Sequence, residues 1–357
     1  MGHSDNELWQ TVTYFATLSI VLYICLVYTT KFARHNTFST TSLIDPSELT
    51  DADLDISLQP VSPTLLQCIR ISHATRYFEF PFEYARALDI HTLKHMGMPN
   101  SILYKALVAL FSISESSSET IEDALCKWMD VGDLLVREIT ERPLYMERTR
   151  QALDAIKECL KDMKGVSNDD KVYMMCGFVV DPVLIINSFG WRRLVSQEVN
   201  ALVVTWRAIG LYLEIKDMPL TMAAMMEFMK SYESKNIAYS DQGKQLFEAA
   251  ISLWTKSVPL IWVSLIDPFL MVLLPKPFLN AVGGQEPAQE LVMTVSAGLA
   301  VRSWWIRWLE LSKGAALHRT PRKTQGGVYF PANGVFKDST YTKNGYTIAQ
   351  LTNKLLG

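Results

Sequence analysis

The sequence predicts an all-α protein, a helical bundle domain of about ten helices preceded by one N-terminal transmembrane helix. Of its 357 residues, 49% are hydrophobic and 20% are charged, a composition typical of a chain with a large folded core. Apolar residues recur every three or four positions through most of the chain, as helices require. Ser167–Asp170 and Ser196–Glu198 each place a Ser before acidic residues, which indicates the start of a helix.

An uncharged apolar run near the N-terminus predicts a membrane anchor. It covers residues 9–30, and about 20 helical residues cross the hydrocarbon of a bilayer. Trp9 and Tyr28 lie towards its ends, where aromatic rings favour the lipid headgroups. The run lacks the positive start and cleavage site of a signal peptide, so we expect it to stay uncleaved. Because Lys31 follows it directly, we expect residues 1–8 to be lumenal and the rest of the chain cytosolic.

Three regions follow the anchor. Residues 31–62 are rich in Ser, Thr and acidic side chains and are predicted to form a polar/acidic linker. Residues 63–312 are predicted to form the all-α domain, and residues 313–357 a basic, Gly/Pro-containing C-terminal tail. Helical periodicity covers 100–111, 121–139, 144–163, 169–187, 195–214, 219–235 and 241–256. The Pro-bounded apolar run 258–274 is short for a span, so we expect a buried or membrane-surface segment, with a second crossing as the alternative.

Charge and motifs exclude several classes of function. A net charge of −3 gives no basic footprint for nucleic acid. The motifs GxGxxG, GxxxxGK[ST], GxSxG and HExxH are absent, which sets aside dinucleotide oxidoreductases, P-loop enzymes, lipase-type hydrolases and common zinc enzymes. The five cysteines include no CxxC pair and fit neither a disulfide framework nor a zinc site. His91 and His95, four positions apart, share one helical face, where surface or interhelical hydrogen bonds are their simplest role.

Several ordered pieces between residues 75 and 275 form a recognisable series. They are Gly97-Met98-Pro99-Asn100-Ser101-Ile102, Ala155-Ile156, Ser167-Asn168-Asp169-Asp170, Asp181-Pro182, Trp191-Arg192 with Leu194 and Glu198, and Trp206-Arg207-Ala208-Ile209-Gly210. This series resembles the fungal ER-bound oxygenases of the mycophenolic-acid type, relatives of the bacterial latex-clearing rubber oxygenases. The resemblance implies an all-α domain that holds haem b and oxidises or cleaves isoprenoid chains with dioxygen. It also implies a single-pass anchor in the endoplasmic reticulum membrane with a cytosolic domain.

The positions that hold haem in that family are changed in this chain. The resemblance places an Arg and a Thr over the haem where this chain has Lys127 and Val131, and an axial His in an interval that here contains none. Haem iron needs an axial His, Cys, Tyr or Met from the protein. Our prediction therefore favours no cofactor and keeps haem b as the alternative, for which the candidate axial ligands are His91, His95 and Cys159.

The favoured hypothesis is a membrane-anchored tailoring enzyme of secondary metabolism whose substrate is a lipophilic terpenoid or polyketide-terpenoid intermediate. An apolar pocket in place of haem would orient the substrate for a redox-neutral cyclisation or isomerisation, including a cycloaddition. The candidate catalytic residue is Lys127, as a hydrogen-bond donor to a polarised carbonyl. The expected pocket residues, for each of which ordinary core packing is the alternative, are Trp128, Val131, Met174, Met175 and Trp206.

Two other functions remain as alternatives at this point. One is a haem-dependent oxygenase with an unusual axial ligand. The other is a non-catalytic membrane scaffold that recruits other pathway enzymes. The three hypotheses share a membrane partner and exclude nucleic acid, and they differ in whether the helical core encloses haem, a substrate or neither.

Overall fold

The computed structural model describes residues 2–40, 42–58, 60–116, 120–257, 269–332 and 340–353. Over these ranges the chain is helical and contains no β-strand, which confirms the predicted all-α class. The helices are α1 (Gly2–Thr40), α2 (Asp51–Leu54), α3 (Pro63–Ala74), α4 (Pro81–Met96), α5 (Ile102–Ser116), α6 (Ile121–Thr140), α7 (Glu147–Asp162), α8 (Asn168–Phe189), α9 (Ser196–Tyr212), α10 (Met222–Asn236), α11 (Asp241–Ser257), α12 (Lys276–Ala281), α13 (Gln289–Leu309), α14 (Thr340–Asn344) and α15 (Ile348–Asn353).

The bundle follows the predicted periodicity closely. Within the described part of 63–312 the named helices are α3 to α13, near the ten expected. One turn of π-helix, Thr75–Glu79, continues α3. In the Pro-bounded apolar run predicted at 258–274, residues 258–268 lie outside the described residues, and 269–273 are helical.

Local sequence signals set the starts of α8 and α9. The backbone N–H of Asp170 donates to Ser167 Oγ at 3.1 Å, and the N–H of Ser167 donates to Asp170 Oδ2 at 2.8 Å, which together form a capping box. At α9, the N–H of Val195 donates to Glu198 Oε2 at 3.0 Å. These carboxylates satisfy backbone N–H groups that a helix start would otherwise leave unpaired.

Helix α1 is longer than the predicted anchor. It continues without a break to Thr40, through the first ten residues of the region expected as linker. By length and composition its stretch Ala16–Phe38 is a candidate membrane span, and only 11% of that stretch is buried against the protein. Helix α8 also passes this test, but 67% of its length is buried. We therefore read α8 as the central core helix of the domain and α1 as the helix with a free apolar surface.

The segment between α1 and α3 lies on the domain surface. Leu54, Ile56 and Val61 are buried in the main core, while Asp55 is half-buried and Ser57 is exposed. Asn200 Nδ2 donates to the carbonyl oxygen of Ile44 at 2.7 Å. A polar sequence is therefore held in place by a few apolar side chains spaced along it.

The domain core is built around α8 and α9. Helix α8 packs against α4, α9 and α10, and α3 lies along α9. Trp206 of α9 is fully buried and stacks on Phe178 of α8 with ring centroids 4.5 Å apart. Stacked aromatic pairs contribute roughly 0.5–1.5 kcal/mol beyond the area that they bury.

Two buried carboxylates form ion pairs in the core, and the second of them joins α4 to α8. Arg192 donates to Glu198 through Nη1 at 2.6 Å and through Nη2 at 2.8 Å. Asp181 of α8 accepts from His91 at 2.9 Å and from Lys94 at 3.1 Å, both on α4. Removing one partner of such a buried pair costs about 3–5 kcal/mol, because the remaining charge is left uncompensated.

The close approach of α4 to α8 depends on Gly177. A Cβ atom at Gly177 would lie 1.8 Å from His91 Cε1, whereas a Cβ at Gly132 on α6 would meet nothing within 4 Å. We expect Gly177→Ala to destabilise the protein by about 1–3 kcal/mol, because the His91 ring must move away from Asp181. Gly132→Ala, the matched control, is expected to stabilise it by up to about 1 kcal/mol, because alanine favours helix.

Thermal unfolding of the full chain in one detergent measures both variants against the parent. Equal melting temperatures for the Gly177→Ala and Gly132→Ala proteins would contradict the close contact between Gly177 and His91.

Candidate functional site

A cleft of about 300 Å³ opens between α4, α6 and the segment 317–319, at the small end of the range for small-molecule pockets. Its apolar wall contains Leu88, Leu103, Trp128, Met129, Val136 and Phe178. Its polar wall contains Arg86, Asp89, His91, Asp133, Arg137 and Arg319. An apolar pocket with a few convergent polar groups is typical of a small-molecule site.

Helix α6 presents one face to the cleft. Trp128, Gly132 and Val136 are spaced four residues apart and line it together. Lys127, the candidate catalytic residue, is exposed and does not line the cleft, because it precedes Trp128 by about 100° around the helix. Val131, four residues after Lys127, packs instead in a separate core cluster with C-terminal residues.

The other expected pocket residues lie in the main core. Met174, Met175 and Trp206 are buried there and are not part of the cleft wall. Trp206 is separated from the cleft by Phe178, on whose ring it stacks. Among the five residues expected to form the pocket, the structure therefore places Trp128 in the cleft wall.

The rim of the cleft is fixed by Glu141 at the end of α6. Its two carboxylate oxygens each accept a backbone N–H at 2.9 Å, one from Arg319 and one from Thr320. Arg319 in turn donates through Nη1 to Asp133 at 2.5 Å. These contacts bring part of the region predicted as C-terminal tail, residues 317–320, onto the cleft.

A buried histidine pair lies behind the cleft. Asp181, paired with Lys94, is a carboxylate and only accepts, so His91 Nδ1 donates to it, and the Nε2 atoms of His91 and His95 share a hydrogen bond at 3.3 Å. This leaves His95 Nδ1 buried without a hydrogen-bond partner. Burial lowers the pKa of His95 well below its usual value, so this ring is neutral. The predicted shared helical face of His91 and His95 is present, and it holds an interhelical hydrogen-bond network.

The candidate axial ligands for haem do not present a donor atom to the cleft. His91 lines the cleft, but its two ring nitrogens face Asp181 and His95. His95 and Cys159 are buried and are not part of the cleft wall. In the described ranges, groups of three or more His, Cys, Asp or Glu that could hold a metal ion are absent. The residues predicted as haem ligands do not fit that role in this arrangement.

Asp89 of α4 is a cleft residue that sequence reasoning missed. Its side chain is 15% exposed, and Oδ2 lies 2.9 Å from Arg86 Nη2 as an ion pair. Burial raises the pKa of Asp89 to about 6, and the charge of Asp133 acts in the same direction, against the opposing charges of Arg86 and Arg137. A carboxyl that titrates near neutral pH in a cleft is suited to proton transfer.

Two buried nitrogens among the cleft residues, Nε1 of Trp128 and Nε of Arg86, have no hydrogen-bond partner. Beside them, Oδ2 of Asp89 is held only by its ion pair with Arg86 Nη2. The two nitrogens only donate, and an ionised carboxylate only accepts. Because buried polar groups in proteins are nearly always paired, the two nitrogens are the atoms that an accepting oxygen of a ligand would satisfy.

The fold and the cleft together define a class: an all-helical domain that adjoins an apolar N-terminal helix and contains a cleft large enough for a small molecule. No protein-family model matches the sequence. Over 253 residues the chain is 21% identical to a protein named ER-bound oxygenase mpaB' from Penicillium brevicompactum. The match covers 67% of this chain and 58% of that protein, so the chain spans less than two thirds of the relative's length. The likeness supports a distant relationship to that oxygenase.

Asp89→Asn is expected to stabilise the protein at neutral and higher pH. The pKa of Asp89 rises from 3.8 to about 6 on folding, so the folded protein binds this proton more tightly than the unfolded chain does. The resulting stability is present below about pH 4 and lost as the pH rises through about 6. Ionised Asp89 therefore costs roughly 1–3 kcal/mol at neutral pH, which the amide removes.

Thermal unfolding of the Asp89→Asn and parent proteins across this pH range tests the expectation. The difference should be largest above about pH 7 and disappear near pH 4. Glu248→Gln, at an exposed carboxyl, is the control and should show no such pH-dependent gain. A stability difference that stays constant with pH would show that Asp89 titrates as an ordinary carboxyl.

Proposed function

We propose that this protein is a membrane-anchored tailoring enzyme acting on a lipophilic, carbonyl-containing intermediate of terpenoid or polyketide-terpenoid type. The observation that carries the proposal is the pair of unpartnered nitrogens, Trp128 Nε1 and Arg86 Nε, beside the buried carboxyl of Asp89 in a cleft with an apolar wall. The distant similarity to an ER-bound oxygenase supports a membrane-bound tailoring role in secondary metabolism. Helix α1 would cross the endoplasmic reticulum membrane once, with the domain in the cytosol.

The reaction that suits these residues is a redox-neutral isomerisation or cyclisation through an enolate. The substrate's aliphatic body lies on Trp128 and Phe178, and its carbonyl oxygen accepts from Arg86 Nε and Trp128 Nε1. Asp89, as a carboxylate, removes a proton from a carbon next to the carbonyl. The electron pair of that C–H bond forms a C=C bond, and the negative charge moves to the oxygen, where the guanidinium of Arg86 stabilises it.

Asp89 then completes the reaction by returning the proton. In an isomerisation the O–H of Asp89 breaks and the proton joins a different carbon, so the double bond has moved and nothing is oxidised. In a cyclisation the enolate carbon attacks an electrophilic carbon of the same chain, and Asp89 gives its proton to the oxygen that becomes anionic. Holding the two ends together in the cleft supplies much of the rate, since well-oriented intramolecular reactions gain up to about 7–11 kcal/mol.

Asp89→Asn is expected to lower kcat/KM by about 10²–10⁴-fold, because it removes the proton acceptor. The probe is a β,γ-unsaturated ketone that carries an isoprenoid chain, incubated with the full chain in detergent under nitrogen in D₂O. The product should be the α,β-unsaturated isomer, with deuterium on carbon in the fraction of turnovers in which the proton on Asp89 exchanges with D₂O before it is returned. The rate should rise as the pH increases through about 6.

Two further variants serve as controls for the role of Asp89 in this experiment. Glu248→Gln should keep full activity, since this exposed side chain lies outside the cleft. Lys127→Ala tests the sequence-based candidate, and loss of activity there with full activity in Asp89→Asn would overturn the assignment of Asp89. The absence of turnover of any lipophilic intermediate, together with capture of other pathway enzymes, would favour the scaffold instead.

A haem-dependent oxygenase is the second candidate, and the observation that favours it is the similarity to a protein named as an oxygenase. Purified chain with a Soret band and stoichiometric iron, active only with dioxygen, would establish this function and overturn the redox-neutral reaction. Colourless protein that turns over the probe under nitrogen would exclude it.

A further inference from the structure

Helix α13 leaves an apolar face uncovered. Its exposed side chains include Met293, Val301, Trp304 and Trp305, with exposed fractions of 65%, 65%, 56% and 56%. Their spacing places them along one side of the helix, and residues 291–301 carry no charge. Soluble proteins rarely expose a row of large apolar side chains, so this face indicates a contact surface.

The C-terminal end of α13 lies directly against α1. Tyr23 Oη donates to the carbonyl oxygen of Leu309 at 2.8 Å, and Lys31 Nζ donates to that of Glu310 at 3.1 Å. Tyr28 stacks on Trp308 with ring centroids 6.5 Å apart. The candidate membrane span therefore meets α13 where the span approaches the domain.

Contacts with the domain hold α13 with its apolar face outward. Arg302 donates to Glu83 Oε1 at 2.6 Å, and its guanidinium lies 4.0 Å from the centroid of the Phe82 ring. Ser303 Oγ donates to the carbonyl oxygen of Gly190 at 2.9 Å. Arg302 and Ser303 thus point to the domain, while Trp304 and Trp305 are exposed on the other side of α13.

We propose that α13 is a second membrane contact, which lies in the interface of the same bilayer that α1 crosses. The proposal rests on the membrane anchoring stated under Proposed function. Two observations favour lipid as the occupant of this face: the face adjoins a candidate span, and Trp304 and Trp305 follow an uncharged stretch that ends at Arg302. Aromatic and basic residues beside an apolar face are typical of a helix at the lipid headgroups.

This arrangement places the cleft close to the membrane. Arg302 of α13 packs on Phe82, and Phe82 lies 5.9 Å from the guanidinium of Arg86, which lines the cleft. The opening beside Arg86 is therefore about one helical turn from the residues that contact α13. A lipophilic substrate would pass from the bilayer to the cleft along this short surface.

The test measures water access to a thiol introduced at position 301 of the full chain. Exposed Cys25 is first replaced by Cys25→Ser, and Val301→Cys is added. Leu220→Cys is the matched control. This exposed position follows Lys216 by four residues, and the backbone of Lys216 pairs with Asn168 at the N-terminal end of α8. Helix α13 contacts the other end of α8, about 33 Å away along that helix. Both variants are reconstituted in vesicles of phosphatidylcholine and phosphatidylinositol and treated with a membrane-impermeant maleimide.

We expect labelling at position 301 to be at least about tenfold lower than at position 220 in pelleted vesicles, because the thiolate that reacts needs water. After unfolding in SDS the two labelling levels should be equal. Equal labelling in pelleted vesicles would overturn the contact of α13 with lipid while leaving the anchor intact. Protein that stays in the supernatant would overturn both, and a disulfide-linked dimer through position 301 would assign the face to a second copy of the chain.

Discussion

The carboxylate of Asp181 is the constraint on which the position of α4 depends. A buried carboxylate is tolerable only when it is paired and hydrogen-bonded, and both of its partners, His91 and Lys94, come from α4. Gly177 lets the His91 ring lie directly on α8. Once this contact fixes the rotation of α4, the same helix turns Asp89 towards the cleft. The buried ion pair therefore determines geometry at a place where chemistry is proposed.

The residues that carry the family resemblance are largely those that fix helix packing. Asp170 caps α8 and accepts from Tyr232 Oη at 2.7 Å, Asp181 joins α4 to α8, and Glu198 is buried against Arg192. Matches at such positions predict a helical framework, because each acid needs its particular partner. They carry no direct information about the cleft, which explains how a distant relationship at 21% identity accompanies changed residues at the expected haem positions.

The helices were predictable from sequence because a 3.6-residue period and a Ser before acidic residues, as at Ser167, are local signals. The cleft was not, since it depends on how helices are rotated against one another. Lys127 is exposed and Trp128 lies in the cleft wall, although the two are adjacent in sequence, because one residue turns the helix by about 100°. In the sequence, Asp89 looks like one partner of an ordinary Arg–Asp ion pair on a helix. Its raised pKa depends on burial and on the charge of Asp133, which lies 44 positions later in the chain. The raised pKa of Asp89 therefore exists only in the folded protein.

Helix α4 makes three contacts within a little over two turns: Glu83 accepts from Arg302 of α13, Asp89 lies in the cleft and His91 meets α8. A helix fixed at both ends behaves as a rigid rod, so the distance between the cleft and the apolar face of α13 is set by the rise of the helix. For an enzyme whose cleft lies beside the membrane, the relevant substrate concentration is the mole fraction of substrate dissolved in the surrounding lipid. Its rate would then fall when inert lipid is added at a constant amount of substrate, as expected for catalysis confined to a surface.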